Sequence, residues 1–237
     1  MLEEIASRIR AAGSVFVLTG SGISAESGLP TFRGVGGLWR QHRVEELASP
    51  EGFARDPRLV WTWYNERRAA HERAEPNPAH RAIAALEDRC ADFTLATQNV
   101  DSLHVRAGSR GVLELHGHLR EARCNGCGER RRLDGAFDLA AIDHDCGGRF
   151  RPDIVWFGEP LPARTWQAAA EAAQRADVVL VVGTSGIVHP AASLATTYAA
   201  GAFVVEVNPE ETALTASVDA SLRGNAADIV PALVASS

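Results

Sequence analysis

The stretch Val15-Phe16-Val17-Leu18-Thr19-Gly20-Ser21-Gly22-Ile23-Ser24-Ala25 decides the fold. Four apolar residues in a row, with no polar alternation, describe a strand buried on both faces, and the chain then turns at two glycines into a helical start. Three more runs have the same form: Phe93-Thr94-Leu95-Ala96, Val178 to Val182, and Phe203-Val204-Val205-Glu206-Val207. They end in Thr97-Gln98-Asn99, Gly183-Thr184-Ser185-Gly186 and Asn208-Pro209-Glu210. Helical stretches such as Trp166 to Arg175 lie between them, so the pattern is that of an α/β fold with a doubly wound, parallel, Rossmann-like sheet. Ligands of such sheets sit beyond the carboxyl ends of the strands, and four polar strand exits converge on one crevice.

Two segments break this rhythm. Residues 34–91 hold a glycine-rich turn (Gly34 to Gly37), helical stretches with Trp39, Trp61, Trp63 and Tyr64, and a Pro76-Asn77-Pro78 break. Residues 119–150 are polar, rich in Arg and Gly, and hold three of the four cysteines. The expected organisation is a sheet domain of residues 1–33, 92–118 and 151–237. The smaller inserted lobe joins a helical module (34–91) to a Cys-containing loop module (119–150).

Composition narrows the function. All 24 basic residues among the 237 are Arg, so a P-loop ATPase and a Schiff-base enzyme both lack their lysine. The net charge, 24 − 30 = −6, argues against a duplex-binding surface. The Arg130-Arg131-Arg132 run reads as a solvated loop or a local basic patch. With 46% hydrophobic and 23% charged residues the chain is an ordinary globular one, expected to bury roughly 72% of its unfolded surface. An acidic start, no run of ~20 apolar residues and only four cysteines predict a cytoplasmic protein without a membrane partner.

Gly20-Ser21-Gly22-Ile23-Ser24-Ala25 is a G-x-G-x-x-A pattern in strand-to-helix context, suited to a pyrophosphate, although a tight turn explains the glycines equally. No acidic residue ends a second strand about 20 residues later, so this is not an ordinary dehydrogenase unit. Asn208 and Glu210 are candidate hydroxyl ligands and Gly183-Thr184-Ser185 a second phosphate turn; turn formation and capping are their alternative roles. Gln98, Asn99 and Asp101 place two amides and a carboxylate where a carboxamide such as nicotinamide could be read. His116, in Leu115-His116-Gly117-His118, is a candidate general base or a structural histidine.

Together these residues resemble the sirtuins, the Sir2-type NAD-dependent protein lysine deacylases, over nearly the whole chain. Gly20 to Arg33 is similar to the family's first NAD motif, and Thr97 to Asp101, His104 and Leu115-His116-Gly117 to its catalytic segment. Ile154-Val155-Trp156-Phe157-Gly158-Glu159 is similar to its peptide-binding strand; Gly183-Thr184-Ser185, Asn208-Pro209-Glu210 and Gly224-Asn225-Ala226 resemble its ribose and adenine contacts. The resemblance implies NAD as cofactor, held by Gly20, Ser21, Gly22, Ala25, Thr31, Phe32, Arg33, Trp39, Gln98, Asn99, Val100, Asp101, Gly183, Thr184, Ser185, Asn208, Pro209, Glu210 and Ala226. It implies His116, Asn99 and Asp101 as catalytic residues, and acylated-lysine proteins or peptides as partners. His116 would deprotonate a ribose hydroxyl after nicotinamide leaves, and the products would be free lysine, nicotinamide and O-acyl-ADP-ribose. Val155, Trp156, Phe157, Gly158 and Glu159 would bind the substrate, the backbone edges of Val155 to Gly158 holding the peptide by strand addition.

Tyr64 and Arg67, at i and i+3 of an expected helix, resemble the signature of sirtuins that remove succinyl, malonyl or glutaryl groups. The alternative is an aromatic helix face with Arg67 in solvent. Cys124-x-x-Cys127 is half of the family's structural zinc site, but only Cys146 remains of the second pair. Zinc would be closed by Asp143 or His144, or the loop holds without metal. Cys90 reads as a buried apolar residue. Other readings of the same crevice are an NAD glycohydrolase or ADP-ribosyltransferase and a non-catalytic NAD or ADP-ribose sensor; a zinc-ribbon interaction protein is a fourth.

Overall fold

In the computed structural model, which describes residues 1–31 and 43–235, the stretch quoted first is the central strand of a six-stranded sheet. The strands are β1 (Ser14–Thr19), β2 (Asp92–Thr97), β3 (Leu113–Glu114), β4 (Gly117–Cys124), β5 (Arg130–Arg132), β6 (Phe150–Ile154), β7 (Val178–Val182), β8 (Phe203–Asn208) and β9 (Ala220–Arg223). The large sheet runs β3-β2-β1-β7-β8-β9 and every pairing in it is parallel. The chain fills one side of β1 first and then crosses to the other, so the topological switch point falls between β1 and β7. Phe32, Arg33 and Trp39, implied above as NAD contacts, lie outside the described residues.

The helices are α1 (Leu2–Ala11), α2 (Val44–Leu47), α3 (Pro50–Arg55), α4 (Pro57–Arg73), α5 (Pro78–Glu87), α6 (Leu103–Arg106), α7 (Ala163–Arg175) and α8 (Ala226–Ala235). Alternate residues of β1 serve opposite faces of the sheet. Val15 and Val17 pack with Ile5, Ile83, Leu180 and Leu233, while Phe16 and Leu18 pack with Ala169, Ala173, Val179 and Leu194. A strand covered on both sides needs apolar residues at every position, which is why its sequence shows no alternation. Half-buried Cys90 packs against the first of these clusters.

The smaller lobe has its own antiparallel sheet, β5-β4-β6, and its own core. Trp61 stacks on Phe137 with ring centroids 3.9 Å apart and donates its indole N–H to the Phe150 carbonyl at 2.8 Å. The lobe boundaries differ from the expected ones. Asn77 caps α5, accepting from the Ala79 and His80 amides, and Ala79, Ile83 and Leu86 then pack into the core of the large sheet. Residues 78–87 therefore belong to the sheet domain, and the Pro-Asn-Pro break marks a crossing between lobes. Conversely, β4 begins at Gly117 and β6 extends to Ile154, so residues 117–118 and 151–154 join the smaller sheet. Strands β3 and β9, two and four residues long, carry no apolar run to announce them. No helix among the described residues is long and apolar enough to cross a membrane.

Candidate active site

A cavity of about 690 Å³ opens at the switch point. Strand exits wall one side of it, from Gly20 to Ala25, from Gln98 to Val100, from Gly183 to Ser185 and from Asn208 to Glu210; Tyr64, Arg67 and Val155 to Glu159 face them from the smaller lobe. His116 lies at the junction. Thr31 and Ala226 also line the cavity; Asp101 does not.

The glycines that line the cavity also serve a contact between two turns. A Cβ on Gly22 would lie 2.7 Å from the Gly183 carbonyl oxygen, and one on Gly183 (φ +63°) would lie 2.3 Å from the Ile23 amide. The Gly22 amide donates to the Gly183 carbonyl at 2.8 Å. The two turns are thus pressed backbone to backbone. Gln98 donates to Thr184 Oγ1 (2.9 Å) and Asn208 to the Thr184 carbonyl (3.0 Å), tying three strand exits into one rim. Behind this rim Glu206, almost fully buried, accepts from Thr212, Thr215, Ser221 and Arg223, which together hold its carboxyl below the usual range against the desolvation that raises it.

The Nδ1 of His116 lies 3.1 Å from the Gln98 carbonyl oxygen. A carbonyl only accepts, so Nδ1 carries the proton and Nε2 is the basic nitrogen. Burial pushes this imidazole below its ordinary value, opposed by that hydrogen bond.

Asp101 is buried beneath the cavity rather than in its wall. Its Oδ2 accepts from Ser24 Oγ at 2.7 Å and its Oδ1 from the Leu103 amide at 2.9 Å. Asn99 Nδ2 reaches the Gly20 carbonyl (3.1 Å) and Ser24 Oγ (3.2 Å). His80, whose Nδ1 accepts from the Asn77 amide, faces the same hydroxyl through Nε2 at 3.4 Å. Desolvation raises the Asp101 carboxyl, with the two hydrogen bonds and Arg67 opposing it. Ser24 and His80 are members of this network that residue patterns left out; His80's place as the third residue of a capped helix was the available signal.

Tyr64 and Arg67 both face the cavity, so Arg67 is not a solvent residue. The Arg67 guanidinium sits 4.7 Å from the Trp63 ring centroid, and burial lowers it to about 10, still cationic at neutral pH. Tyr64 Oη accepts from Trp156 Nε1 at 3.0 Å, and burial pushes the phenol up to about 12. Its own proton is left to donate.

Val155 to Glu159 line the cavity but are not a strand. The amides of Val155, Trp156, Phe157 and Glu159 donate to the His116 carbonyl, Glu159 Oε2, the Ala48 carbonyl and the Trp156 carbonyl. Glu159 pairs with buried Arg151, whose guanidinium stacks over the Trp156 ring at 3.4 Å. Its carboxylate therefore shapes the loop from a position in the cavity wall.

In the smaller lobe, Cys124, Cys127, Cys146 and His144 bring one donor atom each within 4.8 Å of one another. Cys124 Sγ to Cys146 Sγ is 3.5 Å and Cys127 Sγ to His144 Nδ1 is 3.8 Å. Tetrahedral zinc, with Zn–S near 2.3 Å and Zn–N near 2.0 Å, has edges of about 3.5–3.8 Å, so this donor set fits the ion. His144 Nε2 bonds Glu129 at 2.9 Å, which leaves Nδ1 as the ligand nitrogen. Of the two candidates for the fourth position the structure selects His144. Asp143 is turned to Arg149, 3.1 Å away.

A Rossmann-like sheet with a zinc-binding lobe over its switch point, and a histidine between them, defines a nucleotide-dependent enzyme class. The Sir2 family model matches residues 20–190, and the chain belongs to the Sir2 family. It is 53% identical over 220 residues to NAD-dependent protein deacylase 2 of Pyrobaculum aerophilum, which covers 92% of this chain and 88% of that protein. The structure of a Sir2 homologue–NAD complex superposes with a TM-score of 0.91 at 46% identity, covering 98% of this chain and 92% of that one. Sir2Af2 bound to a myristoylated histone peptide superposes with a TM-score of 0.80 at 37% identity, covering 99% and 95%.

Proposed function

We propose that this chain is an NAD-dependent protein lysine deacylase that removes succinyl and malonyl groups and retains activity on acetyl-lysine. The observation that carries the acyl preference is Arg67, buried yet cationic, beside a phenol with a proton to donate, in the same cavity as His116. A guanidinium fork matches a carboxylate in two parallel hydrogen bonds, and the Tyr64 hydroxyl adds a third. An acetyl group has no carboxylate to offer that fork.

Bound NAD supplies an electrophilic ribose carbon whose leaving group is nicotinamide. The residues of the chain prepare the surroundings. His116 Nε2, its tautomer set by the Gln98 carbonyl, takes the proton of a ribose hydroxyl. Asn99 is fixed by Gly20 and Ser24, and Asp101 holds the floor beneath it. The acylated-lysine peptide docks along Val155 to Gly158 through the loop's carbonyls and the Gly158 amide, since the other amides of this loop are donated within the protein. The reading includes no nucleic-acid partner: Arg130 is paired with Asp153 at 3.0 Å and Arg131 with Glu129 at 3.1 Å. A cytoplasmic location accords with four unpaired cysteines.

Mass spectrometry of reactions with NAD and a panel of acyl-lysine peptides tests this. O-acyl-ADP-ribose formed fastest from succinyl or malonyl peptides is the expected result; NAD loss without peptide would assign a glycohydrolase instead. In Arg67→Met the succinyl-to-acetyl ratio of kcat/KM is expected to fall about 10- to 100-fold, the range for a charge-assisted pair. An unchanged ratio makes the Tyr64–Arg67 pair structural.

A further inference from the structure

One guanidinium joins pieces of the site that come from three stretches of chain. Arg120, on β4, donates Nη1 and Nη2 to the two carboxylate oxygens of Glu114 at the end of β3, both at 2.7 Å. Its Nη1 also reaches Ser102 Oγ at 2.7 Å, one residue beyond Asp101. His116 lies between Glu114 and Arg120, so the fork closes a seven-residue span that carries the imidazole. Ser102 belongs to the loop that carries Asn99 and Asp101. Two backbone hydrogen bonds lie alongside, Leu115 N–H to the Thr97 carbonyl at 2.9 Å and Leu119 N–H to the Val100 carbonyl at 3.3 Å.

The backbone at Ser102 gives the second observation. Its φ of +64° makes it the sole non-glycine residue with positive φ among the described residues. A serine there is strained where glycine is not, and strain of this kind persists where the surroundings over-determine the position. What the serine adds over glycine is the hydroxyl that accepts from Arg120.

We propose that Arg120 is a positioning residue, and that Ser102, Arg120 and Glu114 form a clasp that sets the His116 imidazole against the Asn99–Asp101 loop. The inference rests on the deacylase reading for its kinetic consequence and on geometry for its existence. Arginine suits the role because a planar fork satisfies both oxygens of a carboxylate and still has a donor for a third group; the point charge of a lysine has no such geometry. Glu114 and Arg120 also neutralise one another, so the clasp carries no net charge.

The test compares wild type with Ser102→Gly and Arg120→Lys. Ser102→Gly removes the strain together with the hydroxyl, so its Tm is expected to equal or exceed that of wild type. At saturating NAD its kcat is expected to fall about tenfold or more, the size of effect that misplacement of a reacting group produces, while KM for the acyl peptide stays within about twofold. Arg120→Lys is expected to show the same split between kcat and KM. A kcat within about twofold of wild type in both variants overturns the clasp, as does a loss that merely follows a fall in Tm. The His116 imidazole resonance, identified by its absence in His116→Ala, gives a readout without turnover. It is expected to shift in both variants, and an unmoved resonance overturns the clasp. Wild type inert toward every acyl peptide would overturn the deacylase reading, and the resonance would still decide the clasp.

Discussion

The two lobes bury their residues by different means. In the large sheet each central strand is apolar on both faces, and its core is spread over strands and helices from both halves of the chain. The small sheet is apolar on one side only. Ala122, Cys124, Phe150 and Ile154 meet Trp61 and Phe137 there, while Arg130 bridges Glu121 (3.5 Å) and Asp153 (3.0 Å) across neighbouring strands. A distributed apolar core spreads its stability over many contacts. The smaller lobe adds to its apolar core a four-donor metal site that ties its loops at one point. The cavity lies along the seam, so chemistry at His116 draws on both.

The largest effect is expected from breaking the smaller lobe. Cys124→Ala should lower bound zinc from about one equivalent to well below it, because structural zinc binding is itself folding free energy. Metal analysis checks the loss, and limited proteolysis should then cut within residues 117–154 before it cuts the large sheet. Retained zinc, or cleavage spread evenly over both lobes, would count against this division.

Next in size is the seam. His116→Ala is expected to lower kcat by roughly 10²- to 10⁴-fold, the contribution of a general base, with Tm little changed. Turnover close to wild type would remove His116 from the chemistry.

In the large sheet, Leu180→Ala is expected to cost about 2–5 kcal/mol in denaturant titration, as truncation of a fully buried leucine does. The pH dependence is smaller at each site. Burial holds His71 at about 3 and His80 at about 4, and keeps His104 well below its ordinary value. All are neutral in the fold, so below about pH 6.5 the unfolded chain binds more protons than the folded one. Stability present above that pH is lost as the pH falls, by about 1.4 kcal/mol per pH unit for each histidine. Tm measured from pH 7 to pH 5 should decline; a flat profile would mean these rings are not buried neutral. The smallest effect is that of Arg130→Ala, below about 1 kcal/mol, because Arg130 is exposed and Asp153 keeps Arg123 as a partner. A larger loss would show that ion pairs hold the small sheet.

Much of the site was legible in the residues because its parts are contiguous. Gly20 to Ala25, Gln98 to Val100, Gly183 to Ser185 and Val155 to Glu159 each occupy a single strand exit or loop, and parallel strands deliver their exits to one edge. What the pattern missed acts across the chain. Ser24 and Asp101 meet only when β1 and β2 pair, and His80 reaches Ser24 from α5, the helix that follows the crossing between lobes. Glu159 was read as a peptide contact because its segment resembles the family's peptide-binding strand; the partner that occupies its carboxylate, Arg151, is set by the fold of the smaller sheet.

Apolar runs and the residues that follow them were enough to determine the parallel sheet and its crevice, since burial on both faces writes itself into consecutive residues. Tertiary structure alone decided that His144 rather than Asp143 completes the metal donors, that α5 belongs to the large sheet, and that Gly22 and Gly183 press two turns together. Each of these depends on which groups stand within a few ångströms after folding, and proximity between distant parts of a chain has no signature in local composition.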